Sequence, residues 1–153
     1  MNAHDPNATP NAAFPNLTPT NHRVIGPADY LYNCIAWACG DSQHWWQPVP
    51  HGHWPVASDP DDATIENLLA ALVAVGFNVS SDRALEAGFE KIAVYATPTE
   101  YIHVAKLLPT GMWSSKLGED VLIEHDTPED VAGGVYGAIF QFMKRPLTSS
   151  LAS

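Results

Sequence analysis

The chain has 153 residues, 46% of them hydrophobic, which is enough for one domain with a real core and too short for two. Its 17 acidic and 7 basic side chains give a formal net charge of -10, a surface that repels phosphate backbones and anionic bilayers, so neither nucleic acid nor membrane is expected as a partner. No apolar run approaches the roughly 20 residues of a membrane-spanning helix, and Met1-Asn2-Ala3-His4 opens without a basic n-region, so the expected location is cytoplasmic, or outside by a route without a Sec signal.

Residues 1–22 are rich in Asn, Ala, Thr and Pro without a period and read as a flexible N-terminal arm, with Phe14 and Leu17 available as anchors. Residues 23–146 form the single folded domain, and 147–153 read as a disordered tail. Tyr30 to Cys39 reads as a helix ended by Gly40, with two competing starts: Asp29 as cap, or Asn33 as cap with Cys34 in the first turn. Gln43 to Pro60 holds three tryptophans, three histidines and four prolines and reads as an ordered loop. Thr64 opens the clearest helix, with Leu68, Leu69, Leu72 and Val75 on its apolar side and Gly76 as terminator.

The pattern then turns to strands: Lys91 to Ala96, Tyr101 to Leu108, Met112 to Lys116 and Val121 to His125, separated by turn residues. Thr127-Pro128-Glu129-Asp130 is a cap signature for one helical turn, and Gly134 to Met143 reads as a last strand. The expected class is α+β, with N-terminal helices packed on an antiparallel β meander.

The candidate chemistry centres on Cys34. A thiol acts as a nucleophile when it becomes a thiolate, and the free N–H groups of a helix start favour that charge. His103, near the start of a later strand, is the candidate base. His125, Glu124, Asp120 and Ser115 all stand on or beside the next strands as candidates to orient the imidazole, with His125 preferred. The rival reading makes Cys34 a small core residue and His103 a polar residue of an edge strand. Cys39 lies five residues on, where the two side chains diverge on a helix, so no disulfide is expected and both thiols are free.

The loop histidines His44, His51 and His53, with Cys34 or Cys39, offer nitrogen and sulfur donors for zinc. Their spacing matches no usual structural site, and His51 and His53 alternate to opposite sides of an extended chain; no metal or cofactor is expected. Trp45, Trp46 and Trp54 either stack on a ligand or fix the loop over the helix.

Several blocks carry a resemblance: Tyr32-Asn33-Cys34-Ile35-Ala36-Trp37-Ala38, Trp45-Trp46-Gln47-Pro48, Gly88-Phe89-Glu90-Lys91-Ile92, His103-Val104-Ala105, and Trp113-Ser114-Ser115-Lys116-Leu117-Gly118 with His125. Over about Phe14 to Arg145 the chain resembles an uncharacterised, mostly bacterial family. More distantly it is similar to the NlpC/P60 and CHAP groups of papain-like cysteine peptidases and amidases.

That similarity implies a papain-like fold, with Cys34 as nucleophile, His103 as base and His125 as orienter. Asn33, Ser115, Trp45 and Trp46 would serve as oxyanion or substrate-positioning residues. It also implies thiol-dependent amide hydrolysis or acyl transfer on a peptide or peptidoglycan-like substrate, or on a protein side-chain amide. The sequence departs from NlpC/P60 at Asn33, where Asp is usual. It also departs in the interval between His103 and His125, which exceeds one hairpin and leaves Ser115 as the alternative third residue. The competing expectation is a non-catalytic binding module or toxin-system partner that meets a protein through the Trp-rich loop.

Overall fold

A computed structural model describes residues 13–147. Seven strands form one sheet: β1 (His22–Gly26), β2 (Asn78–Ser80), β3 (Phe89–Ala96), β4 (Tyr101–Leu107), β5 (Trp113–Lys116), β6 (Leu122–His125) and β7 (Ala138–Pro146). Their order across the sheet is β1-β6-β5-β4-β3-β7-β2, with every neighbouring pair antiparallel. Among the described residues two helices accompany it, α1 (Cys34–Ala38) and α2 (Ile65–Ala74), and a 3-10 turn spans Pro128–Val131.

This overturns the papain-like expectation of N-terminal helices packed on a meander. The two helices have only 5 and 10 residues, while the N-terminal half contributes β1 and β2 to the sheet itself. The sheet is also more than a meander, because β7 crosses to the far side of β3 and separates it from β2. Of the two expected helix starts, the one at Asp29 fails for a local reason and the one at Asn33 is found. Asp29 turns its carboxylate onto the Leu31 N–H, holding the chain in a turn, and Tyr30 and Leu31 stay exposed. Helix starts only when Asn33 supplies a cap, and it stops after five residues at Cys39, with Gly40 in the left-handed region at φ 85°.

The sheet is buried on both faces, so β3 reads as an almost continuous apolar run with little alternation. On one face Ile92, Val94, Val104 and Met143 pack against α1, α2 and Trp46. On the other, Ala93, Tyr95, Ala105, Trp113 and Ile123 pack against Phe14, Leu17 and Val131. Phe14 and Leu17 are thus part of a core. Residues 1–12 of the expected arm and 148–153 of the expected tail lie outside the described residues. Among the described residues no helix is long and apolar enough to cross a membrane.

β4 is the strand that makes room for a site. It pairs with β5 only at Lys106 with Ser114 and Leu107 with Trp113. Toward Tyr101 the two strands part, and on the other side the register with β3 slips between Tyr95 and Ala96. The first half of β4 therefore keeps one sheet neighbour, and α1 packs against it.

Candidate functional site

Asn33 sets the position of α1. Its Oδ1 accepts from the Ala36 N–H at 3.1 Å, the usual cap bond, and also from the Trp46 N–H at 3.2 Å. Its Nδ2 donates to the Trp46 carbonyl at 2.8 Å. One amide thus caps the helix and clamps the Trp-rich loop by both polar groups of a single residue. Aspartate has no donor for the Trp46 carbonyl and could not make this clamp.

Cys34 follows directly, buried, in the first helical position. Burial pushes its thiol up to about 11, while backbone N–H groups of Val104, Ile35 and Cys34 itself, and the charge of Lys116, pull the other way. Val104 can serve the sulfur because its strand has parted from β5. Lys116 is fully buried, with its ammonium donating to the carbonyls of Asp29 and Gly118 and lying 4.7 Å from the Tyr32 ring centre.

His103, Ser115 and His125 come together on three strands, β4, β5 and β6, all with no exposed surface. Ser115 Oγ stands 2.9 Å from His103 Nε2 and 2.8 Å from His125 Nε2. His125 Nδ1 lies 2.7 Å from the Thr127 carbonyl. Proton positions follow from what each partner can accept. A carbonyl only accepts, so His125 Nδ1 carries hydrogen. Burial lowers the pKa of both imidazoles, His103 well below its ordinary value, so both rings are neutral near pH 7. His125 Nε2 is then an acceptor for the Ser115 hydroxyl, and Ser115 in turn accepts from His103 Nε2–H. This leaves His103 Nδ1 as a bare lone pair, and that atom is buried without a hydrogen-bond partner.

The relay is braced from behind. Tyr95 donates its hydroxyl to the Pro128 carbonyl at 2.6 Å, and Asp130 accepts from the Thr127 N–H at 2.9 Å and the Thr127 hydroxyl at 3.0 Å. Together they hold the Thr127 carbonyl where His125 needs it. In front, Tyr136 stacks on His103 with ring centres 4.0 Å apart and planes 7° from parallel. Gly137, at φ 67°, lets that segment close on β3: a Cβ there would stand 2.7 Å from the Ala96 carbonyl oxygen.

Cys34 and His103 line one cavity of about 300 Å³, together with Asn33, Trp45, Trp46, Gln47, Tyr101 and Tyr136. All seven site residues expected from the sequence fall in this cavity or in the relay behind it. Ser115 and His125, weighed as rivals for the third role, stand in series. Glu124 is instead paired with Arg23 at the sheet edge. Asn33 has its side chain committed to structure. Trp45 donates to Gln47 Oε1 at 2.8 Å and Trp46 to Asp41 Oδ2 at 2.8 Å, so the indoles are anchored by their polar ends. Trp54 is held by Asn67 at 3.1 Å and stacks behind Tyr101, which lines the cavity, without lining it itself.

Sequence reasoning missed Tyr136, Tyr101 and Lys116. Only Tyr136 carried a signal, an aromatic residue between Gly134 and Gly137 where the chain must pass close to backbone. Among the loop histidines, His44 bonds to Asp41 at 2.9 Å and His53 packs on Trp46. Among the described residues no three His, Cys, Asp or Glu side chains converge as a metal site.

Searches of curated proteins and of solved structures returned no match. Residues 23–144 match the model of the family described as Domain of unknown function (DUF7689), and the chain therefore belongs to that family.

Proposed function

We propose that this protein is a thiol-dependent amide hydrolase or acyltransferase, with Cys34 as nucleophile and His103 as its base. The observation that carries the reading is the buried relay, whose proton order leaves His103 Nδ1 as an unused lone pair on a residue that shares a cavity with the thiol. The substrate class is a peptide amide, of peptidoglycan or of a protein side chain.

In this scheme His103 Nδ1 takes the thiol proton as sulfur attacks the amide carbon. The same proton then passes to the leaving amine, and water or a second amine, deprotonated at Nδ1, releases the acyl group from the thioester. Backbone N–H groups already turned to the sulfur are the available donors for the oxyanion. With the thiol at about 11, an isolated thiolate at pH 7 would cost on the order of 5 kcal/mol, so transfer to His103 accompanies attack and does not precede it.

The test is iodoacetamide labelling against pH, with Cys39 as internal control, its thiol pushed up to about 12 by burial. Cys34 is expected to react faster than Cys39 at pH 7, and about tenfold or more slowly in His103→Gln, whose amide N–H can still donate to Ser115. Equal rates for the two thiols, or indifference to His103→Gln, would sink the proposal.

The raised thiol pKa and the burial of His103 favour a second reading, a non-catalytic binding module that meets a basic partner through its acidic surface. It predicts that Cys34→Ala keeps the biological effect, and loss of that effect in a folded variant rules it out.

A further inference from the structure

A second and larger cavity, about 490 Å³, lies beside Trp37 of α1, between the loop 85–88, the start of β3 and the end of β4. Its apolar walls are Trp37, Leu85, Phe89, Leu107, Leu108 and Pro109. The size suits a small ligand. Two amines line it, Lys91 and Lys106; Lys91 is paired with Asp82 and Glu86, so Lys106 is the one that gives the cavity a chemical preference.

The cations of the chain can be accounted for one by one. Arg23 pairs with Glu124, Arg83 with Glu129, Lys91 with Asp82 and Glu86, Lys144 with Glu86, and Arg145 with Glu90. Lys116 is held by two carbonyls. Among the described residues Lys106 alone has neither a carboxylate within ion-pair range nor a hydrogen bond for its ammonium. Its Nζ rests 5.3 Å from the centre of the Trp37 ring. In a protein with ten more negative than positive charges, leaving one half-buried amine without an anion is costly unless something else supplies it. The two carboxylates on the cavity wall do so only in part: Glu86 is engaged by Lys91 and Lys144, and Glu90, paired with Arg145, acts on Lys106 from beyond ion-pair range.

We propose that this cavity binds an amphipathic monocarboxylate, a medium-chain fatty acid or an acid of similar build, with its carboxylate on Lys106 and its chain along Leu85, Leu107 and Pro109. With Lys91, Glu86 and Glu90 already paired, the one remaining positive charge, on Lys106, suits one negative charge and disfavours a phosphate dianion. The remaining walls offer a chain apolar contact and few polar partners. The site is separate from the thiol chemistry and does not depend on it. It does touch the same helix: Trp37 donates its indole N–H to Ser114 Oγ at 2.8 Å, and Ser114 donates to the Lys106 carbonyl at 3.0 Å, so a bound acid would be seen by Trp37.

The experiment is titration calorimetry on the full chain with decanoate below its micellar concentration, beside 1-decanol and decyltrimethylammonium. Decanoate is expected to bind about tenfold or more tightly than 1-decanol, the ammonium not at all, and Lys106→Met to abolish the preference while leaving 1-decanol unchanged. Ala87→Trp, at an exposed position on the rim, should block both ligands without disturbing the fold. Cys34→Ala should bind as the parent does, which keeps this result independent of the catalytic reading. No binding of decanoate, equal binding of acid and alcohol, or full decanoate affinity in Lys106→Met overturns the proposal.

Discussion

Ser115→Ala is the most informative single change in this protein. It removes one oxygen and with it both bonds of the relay, leaving His103 Nε2–H without an acceptor and His125 Nε2 without a donor. Both rings are fully buried, so neither group regains a water partner unless the site opens. A buried donor or acceptor stripped of its partner costs about 1–3 kcal/mol, which puts the pair at about 2–6 kcal/mol. For a domain whose whole stability is about 5–15 kcal/mol, that is a visible fraction.

The assay is urea unfolding followed by tryptophan fluorescence, with the slope checked for constancy so that the midpoint reports stability. A second background isolates the mechanism. In His125→Phe the acceptor is already gone, so Ser115→Ala should cost less there, with a coupling of about 0.5–3 kcal/mol. Iodoacetamide labelling of Cys34 should slow as well, because nothing then holds His103 in the tautomer with Nδ1 bare. A stability loss below about 0.5 kcal/mol, or strict additivity with His125→Phe, would refute the proton order argued here.

Asn33→Asp keeps the cap on Ala36 but sets a carboxylate against the Trp46 carbonyl where Nδ2 now donates, and should destabilise by about 2–4 kcal/mol in the same urea assay. An unchanged or raised midpoint would show that the clamp on Trp46 matters little. Stability should also fall with pH below about 6.5. Burial holds His103, His125 and His22 below the ordinary imidazole value of about 6.5 in the fold, so below it the unfolded chain binds more protons and stability drops with each. The limiting slope is about 1.4 kcal/mol per pH unit for each histidine that stays neutral in the fold, and His125→Phe should flatten it. A stability curve level from pH 7 to pH 5 would contradict the assignment of neutral rings.

Local signals were enough to place many of the elements. Thr64 and Gly76 bracket α2, and turn residues bracket β4 and β5. What local signals cannot carry is partnership. β1 and β2 have five and three residues with mostly exposed side chains, so nothing in their own pattern marks them as strands; they exist because β6 and β7 offer free edges. The papain-like expectation failed at the same level, since it rested on chain order and not on how the strands pair. The candidate third residues show the limit most clearly. Ser115 and His125 are ten apart in sequence, and only the β5–β6 register, with Ser115 opposite Ile123 and Trp113 opposite His125, brings them to one hydroxyl-to-ring bond. The Trp37 and Lys106 contact, between a short helix and a strand, had no sequence signal at all.

The choice between a catalyst and a binding module turns on what it costs to keep polar groups in this interior. A hydroxyl and two imidazoles are held with no exposed surface, and one ring nitrogen is left unpartnered. An orphaned buried acceptor costs about 1–3 kcal/mol, and replacing a whole buried polar network by apolar side chains of similar shape is often neutral or stabilising. A module that only binds through its Trp-rich loop would gain by such a replacement, because the loop is anchored independently by Asn33, Asp41 and Gln47. The network also fixes one tautomer through three hydrogen bonds in series, which a packing role does not require. A base does require it: the lone pair must be bare, aimed by its other nitrogen, and near a group that gives up a proton. The raised thiol pKa, which taken alone favours the module, is compatible with a base that acts only during attack. In the proposed scheme a thiol at about 11 that shares a cavity with a neutral imidazole stays protonated until an electrophile enters, and its proton moves to the ring only as the sulfur attacks.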